Sequence, residues 1–198
     1  MKGSLRQTIR WVVIGAIFFA IAGLKSGYSQ FSIGAAYYQR KEAPQNGFGA
    51  RMENDIKVTP KILRLGVQAH FDYYSESNKL DGSGVSFGKV NNYTLGLDAL
   101  AKVKLLIIEP YIGVGIGFDK VNQSGSNGIS SVVGSAVNPE NTQKTIYEGV
   151  IGTEASLLSF LHPFVEYRTH APKFGDVLKK PSGSDSQGVW AFGVLLKF

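Results

Sequence analysis

The last nine residues of the chain alternate large apolar side chains with small or polar ones. Trp190, Phe192, Val194, Leu196 and Phe198 occupy every second position, and the chain ends on an aromatic residue. Because side chains on a strand point to opposite faces with a period of two, these residues form one continuous apolar face. A soluble protein would rarely leave such a strand at its edge. The pattern therefore predicts a final β-strand that needs an apolar environment on one face.

Similar alternation recurs along the chain, in runs of about ten residues separated by turn signals. No segment after the N-terminal region shows a 3.6-residue period, so strands are favoured over helices. Residues 62–74 alternate most clearly, whereas the sixth run is the weakest, because Ile146 and Val150 share a face with Glu148. The pattern predicts eight strands, at about 30–38, 48–57, 62–74, 90–103, 109–118, 144–156, 163–170 and 187–198.

The connections between these strands alternate in length. Long polar connections are predicted at 39–47, 75–89, 119–143 and 171–186, and short ones at 58–61, 104–108 and 157–162. Transmembrane barrels have long loops on one side, short turns on the other and, in bacteria, an even number of strands. We therefore predict an all-β fold: an eight-stranded antiparallel up-and-down transmembrane β-barrel, with both termini on the side of the short turns.

The first 29 residues have the features of a cleaved signal peptide. Lys2, Arg6 and Arg10 precede the apolar run 11–24, which is shorter than the roughly 20 residues of a membrane-spanning helix. We predict cleavage after Ser29, which gives a signal peptide at 1–29 and a barrel domain at 30–198. This segment carries four of the 21 basic residues and none of the 15 acidic ones, so its removal lowers the net charge from +6 to +2. The charge therefore gives no argument for nucleic-acid binding, and we expect none.

The residue types of the chain exclude several kinds of site. It has no cysteine, which rules out disulfides, thiolate metal sites and cysteine nucleophiles. No three His, Asp or Glu residues stand at an evident metal-ligand spacing, so we predict no metal site, and we expect no cofactor. Gly113, Gly115 and Gly117 lie inside an alternating strand instead of at a strand-to-helix turn, so a phosphate-binding loop does not fit. Small residues that make room for larger side chains inside a narrow barrel explain them better.

The charged side chains of the predicted strands share one face, which we assign to the barrel lumen. They are Arg51, Glu53, Asp55, Arg64, His70, Asp72, Asp98, Glu148, Glu154, Glu166, Arg168 and His170. Eight strands leave little open space inside, and an isolated buried ion costs several kcal/mol. We therefore expect a structural network of paired charges that fills the lumen. The alternative is a gated polar path for a small ion or solute, in which the same residues set the selectivity.

The chain resembles the small eight-stranded outer-membrane β-barrel proteins of Gram-negative bacteria over its whole mature length. The resemblance rests on the exported start, on Gly-aromatic strands such as residues 111–118, and on the terminal stripe from Trp190 to Phe198. It implies location in the cell outer membrane and contact with outer-membrane lipid. It also implies that the stripe is the signal by which the barrel assembly machinery recognises its client. Members of this family differ in activity, and include structural or adhesive proteins, narrow pores and a few lipid-modifying enzymes.

We predict a non-enzymatic protein with a structural or surface-contact role, and a narrow pore as the alternative. A lipid-modifying enzyme would need a His with a Ser and an acid on the lipid-facing rim, and no predicted strand presents that set. His70 and His170 are expected in the inner network, and His162 in a short turn before Pro163. A soluble lipocalin-like barrel would also alternate, but with its charges outside. The polar loop 119–143 is expected to be mobile; alternatively, residues 129–137 extend the strands and offer an edge to a surface partner.

Overall fold

The computed structural model describes residues 29–41, 44–58, 62–79, 86–125, 142–177 and 187–198. Its eight strands follow one another in chain order. They are β1 (Ser29–Arg40), β2 (Asn46–Lys57), β3 (Leu63–Lys79), β4 (Ser86–Val103), β5 (Ile108–Gly125), β6 (Thr142–Ala155), β7 (Leu161–Ala171) and β8 (Gln187–Lys197). The signal peptide and the segment 129–137 lie outside the described residues and stay predictions.

Each strand pairs antiparallel with its neighbours in the chain, and β1 pairs with β8 to close the barrel. The closing register sets Ala35 opposite Val194, so the apolar stripe of β8 continues onto the outward face of β1. The predicted all-β, eight-stranded up-and-down barrel is therefore confirmed. Among the described residues, no helix is long and apolar enough to cross a membrane.

The strands run further than the sequence pattern predicts, mainly at the end with the long connections. β3 continues to Lys79, β4 begins at Ser86 and β5 continues to Gly125, so both predicted loops 75–89 and 119–143 begin with residues that are strand. Residues 75–79 and 119–125 are mostly polar and show no apolar alternation, so the pattern could not predict their pairing. At the other end, β7 begins at Leu161, inside the predicted turn 157–162.

The two faces of the barrel have opposite chemistry. Large apolar side chains are exposed on the outside of seven strands, for example Ile33, Phe48, Leu65, Leu97, Ile112, Ile151 and Phe192, whereas Val165 of β7 is half-buried. The largest fully buried side chains include the charged residues Arg51, Lys102 and Arg168. Because a soluble barrel buries its apolar face, this polarity excludes the lipocalin-like arrangement and fits a barrel surrounded by lipid.

Glycines on the inner face make room for charged side chains of the neighbouring strand. A Cβ added at Gly115 would lie 2.0 Å from Asp98 Oδ1, and one added at Gly96 would lie 2.1 Å from His70 Nε2. These side chains therefore lie directly over the backbone of the next strand. The structure supports the packing explanation of the β5 glycines.

A segment after β7 folds back onto the outside of the barrel. Residues Phe174–Asp176 form a short 3-10 turn, and Thr169 Oγ1 donates a hydrogen bond to the carbonyl oxygen of Val177 (3.0 Å). Val177 is buried against Gly149, where a Cβ would approach Val177 Cγ1 to 2.4 Å. We call residues 172–177 the hook. It covers part of the outward face of β6 and β7.

Candidate functional site in the barrel lumen

Strand alternation brings charged side chains from all eight strands into one interior. The structure places all twelve residues assigned from the sequence on the inner face, and all are buried. It also buries charged residues that the sequence analysis did not assign: Arg40, Lys102, Glu109, His162 and Lys197. Lys102 lies four residues after Asp98, and Lys197 lies two residues after Leu195, so strand alternation places each pair on the same face. The inward position of both lysines could therefore have been predicted from the sequence.

One group of ion pairs surrounds Arg168, and we call it the Arg168 cluster: His70, Asp98, Glu148, Glu166 and Arg168. The guanidinium of Arg168 lies 2.7 Å from Glu166 Oε1, 3.2 Å from Glu148 Oε2 and 3.4 Å from Asp98 Oδ2. His70 Nε2 lies 2.8 Å from the same Glu148 oxygen. One guanidinium therefore compensates carboxylates that come from three different strands.

A second group surrounds Lys102, and we call it the Lys102 cluster: Glu53, Asp55, Lys102, Glu154 and Lys197. Lys102 Nζ donates to the carboxylates of Glu53 and Glu154 and lies 3.3 Å from Asp55 Oδ2. Lys197 Nζ approaches Glu154 Oε2 to 2.6 Å. Two ammonium groups thus compensate three carboxylates in a space closed to solvent.

Arg51 joins the two clusters. Its Nη1 donates to Glu166 Oε2 (3.2 Å), and its Nη2 donates to Glu53 Oε2 (3.1 Å). The guanidinium also lies 3.8 Å from the centroid of the Phe164 ring, a distance suited to a cation–π interaction. Tyr111 donates its hydroxyl to Glu166 Oε2 (2.9 Å). The polar network is therefore continuous between the Arg168 and Lys102 clusters.

The charges of the interior nearly balance. Among the described residues, eight buried carboxylates accompany six buried Arg or Lys side chains and three buried histidines. Buried charges are tolerated when they are paired, whereas removing one partner costs about 3–5 kcal/mol, because the other charge is left without compensation. The network can therefore hold the barrel in one register, but each member depends on its partners.

At two places in the lumen, three side chains bring their ligand atoms close enough together to hold a metal ion. One set is His70, Asp98 and Glu148, and the other is Glu53, Asp55 and Glu154. Arg168 lies against the first group and Lys102 against the second. In each case a side-chain cation already supplies the positive charge, so these groups carry no argument for a metal.

The prediction for His162 was wrong, because it lies in β7 and is buried instead of sitting in a turn. Because β7 begins two residues earlier than predicted, His162 lies on the same inner face as Phe164. Ser156 Oγ lies 3.4 Å from His162 Nδ1, and Glu154 Oε2 lies 3.7 Å from the same nitrogen. In a catalytic triad the nucleophile and the acid use different ring nitrogens, so this contact does not form one.

The residues of the C-terminal stripe lie on the outward face of β8 and are exposed. Trp190 packs beside Tyr167 with ring centroids 5.0 Å apart, and Phe192 follows along the strand. The backbone N–H of Phe198 donates to the carbonyl oxygen of Phe31 (2.8 Å), so the last residue is tied to β1. The stripe therefore faces the membrane at the seam that closes the barrel.

No protein-family model and no curated protein sequence matches this chain. Solved structures do match it. The N-terminal β-barrel domain of Pseudomonas aeruginosa OprF has a TM-score of 0.57 at 10% identity, covering 85% of this chain and 97% of that one. Ail, the attachment invasion locus protein of Yersinia pestis, has a TM-score of 0.54 at 16% identity, covering 86% and 97%. Neisserial surface protein A has 0.51 at 14% identity, covering 87% and 98%.

These likenesses show that the chain has the fold of small outer-membrane barrels. The resemblance to such barrels that was seen in the sequence is therefore confirmed for the fold. The polarity of the barrel agrees, since closed barrels with an apolar outer band are the strand-built form that spans a membrane. Fold and polarity together are those of a membrane-spanning β-barrel.

Proposed function

We propose that this outer-membrane β-barrel is a non-enzymatic protein whose lumen is filled by a network of paired charges, and that it serves in envelope structure and surface contact. The observation that carries the proposal is the continuity of the network. The Arg168 cluster, Arg51 and the Lys102 cluster follow one another through the interior, and their side chains are closed to solvent. Side chains that must stay paired cannot move aside for a passing ion without leaving a charge uncompensated.

Conductance across a planar lipid bilayer tests this proposal against the narrow pore. Purified residues 30–198 are refolded, and a gel-mobility shift on heating in SDS verifies that the barrel is closed. We expect no steady conductance, whereas a 16-stranded porin with an aqueous channel in the same bilayer gives open currents as the positive control. Steady open currents from the wild-type barrel would contradict the filled lumen and favour the pore.

Surface contact is supported by the outer parts of three strands, which pair with one another and which we call the extension. It consists of residues 75–79 of β3, 86–91 of β4 and 122–125 of β5. β3 pairs with β2 only as far as Tyr74, but with β4 as far as Lys79. β5 pairs with β6 only as far as Val121, but with β4 as far as Gly125. Within the described residues, the outer parts of β3 and β5 therefore have no strand neighbour outside the extension. Such edges can accept a strand from a partner.

Shortening the extension tests the surface role. A variant in which a two-residue turn replaces residues 77–88 is compared with the wild type for adhesion of whole cells to immobilised heparin, because Ail has been solved with a heparin analogue. The control is a variant that lacks residues 178–186, which precede β8 in the chain. We expect adhesion to fall in the first variant only. Equal adhesion by all three would refute a surface role for the extension on this probe.

We further propose that the outward stripe of β8 is read by the outer-membrane barrel assembly machinery. The stripe is continuous from Trp190 to Phe198 and faces the membrane at the closing seam. Phe198→Ala is expected to lower the amount of heat-modifiable barrel in outer-membrane fractions. Phe48→Ala, which removes an exposed aromatic ring from β2, is the matched control and is expected to leave it unchanged.

A further inference from the structure

A cavity of about 290 Å³ opens at the end of the barrel where the short turns lie. Small-molecule pockets span roughly 300–1,000 Å³, so this one is sized for a compact polar group. Its polar lining combines the floor of the lumen with the turn between β6 and β7: Arg64, Lys104, Glu109, Ser156, Ser159 and His162.

The lining of the cavity carries an excess of positive charge, because it contains two cationic side chains, Arg64 and Lys104, and one carboxylate, Glu109. Arg64 Nη1 donates to Glu109 Oε2 (3.1 Å) and to Gln30 Oε1 (3.0 Å). The Arg64 side chain is only 7% exposed, and its buried Nε has no hydrogen-bond acceptor among the described residues. Lys104 Nζ lies 4.0 Å from Glu109 Oε1, and Lys197 Nζ lies 3.8 Å from Glu109 Oε2 on the inner side. Because Lys197 lies closer to Glu154, Arg64 and Lys104 share the carboxylate of Glu109 between them.

A hydroxyl and an imidazole add hydrogen-bonding groups to this lining. Ser156 Oγ and the ring of His162 lie at the wall of the cavity, 3.4 Å apart. The next carboxylate inward, Glu154, is already held by Lys102 and Lys197, so it does not cancel the charge of Arg64 and Lys104. Guanidinium, ammonium and hydroxyl groups around one space are the donors that bind a phosphate group.

The rim of the cavity is apolar and continuous with the lipid-facing surface. Leu157 and Leu158 line it and are exposed, and the neighbouring turn exposes Leu105, Leu106 and Ile107. A hydrogen bond from Ser156 N to the carbonyl oxygen of Ile107 (2.7 Å) holds the two turns together. Exposed contiguous apolar surface of this kind marks a contact with protein, ligand or membrane. Here it adjoins the outward apolar face of the barrel.

We propose that this cavity binds the phosphate headgroup of a phospholipid from the membrane leaflet on the side of the short turns. Arg64 and Lys104 supply the positive charge, and Ser156 and His162 hydrogen bond to the phosphate oxygens. The acyl chains lie against the apolar rim formed by residues 105–107 and 157–158. The site is separate from the extension on the opposite side and does not depend on the function proposed above.

Native mass spectrometry of the folded barrel in neutral detergent tests the site with two lipids that share their acyl chains. Dioleoylphosphatidylglycerol carries the phosphate, and dioleoylglycerol lacks it. We expect the first to be retained and the second to be lost. Lys104→Gln should weaken retention roughly two- to fivefold, as expected for one partly exposed charge contact. Lys104→Arg should preserve retention, and Lys173→Gln, an exposed lysine on the hook, is the charge-matched control.

The outcomes separate the possible ligands. Retention of both lipids, or retention that Lys104→Gln leaves unchanged, overturns the headgroup site. Inorganic phosphate alone is added to lipid-free barrel in a second arm, with the NMR signals of the His162 ring as the readout. If those signals shift and phosphatidylglycerol is not retained, the site takes free phosphate and the lipid assignment is overturned. Because Lys104 is partly exposed, its variants are expected to fold, and the heated-gel shift checks this.

Discussion

Replacing Lys102 by methionine tests whether paired charges hold the barrel together. Lys102 Nζ is closed to solvent and lies against Glu53, Asp55 and Glu154. Methionine keeps most of the volume but removes the charge, which leaves three buried carboxylates with Lys197 and Arg51 as the nearest cations. At an effective dielectric constant of about 20, one ion pair 4 Å apart is worth roughly 4 kcal/mol. Since Lys197 takes over part of the compensation, we expect the free energy of unfolding to fall by about 3 kcal/mol.

Urea unfolding in phospholipid vesicles measures this change. Residues 30–198 contain one of the two tryptophans, Trp190, whose ring packs beside Tyr167 on the outward face. Its fluorescence therefore reports loss of the barrel at a single site. Lys104→Met is the matched control, because Lys104 is 43% exposed and 4.0 Å from its partner carboxylate. We expect that control to change stability by less than about 1 kcal/mol.

A compensating variant makes the test specific for charge. Glu154→Gln in the Lys102→Met background removes one of the uncompensated carboxylates, so we expect it to recover part of the lost stability, with a coupling of about 1–3 kcal/mol. A loss below about 1 kcal/mol for Lys102→Met alone, or no coupling with Glu154→Gln, would refute the view that the Lys102 cluster stabilises the fold.

Three further predictions follow from the faces of the barrel wall. Gly115→Val places a Cβ on Asp98 Oδ1 and should destabilise the barrel by about 1–3 kcal/mol in urea unfolding; wild-type stability would mean that the glycine is not needed for packing. Val114→Arg, at an exposed outward position, should cost about 2–4 kcal/mol in vesicles, and an unchanged midpoint would argue that this face does not meet lipid. Thr169→Val removes the hydrogen bond to Val177 and should cost about 1 kcal/mol, with faster proteolysis near the hook; unchanged proteolysis would argue against a fixed hook.

The barrel and its two faces could be predicted from the sequence, because alternation with a period of two is a local signal. The ion pairs could not. Arg51 and Glu166 are 115 residues apart in the chain, and whether they meet depends on the register of strands that face each other across the lumen. His162 was misplaced because the strand was predicted to begin at Pro163, whereas Leu161 and His162 already pair with Leu196 and Leu195 of β8, a pairing that the local pattern does not show. The hook was also missed, since its contact depends on Gly149, which alternation alone does not distinguish from other outward glycines.

The hook also makes the barrel unequal around its circumference. Where residues 172–177 cover β6 and β7, acyl chains and neighbouring proteins meet a raised segment, whereas elsewhere they meet a smooth wall of strands. In a crowded membrane, a barrel of this shape has a preferred side for its neighbours. Around the ring of strands, the sector opposite the hook is formed by β2 and β3, and there another barrel can approach the outward side chains directly.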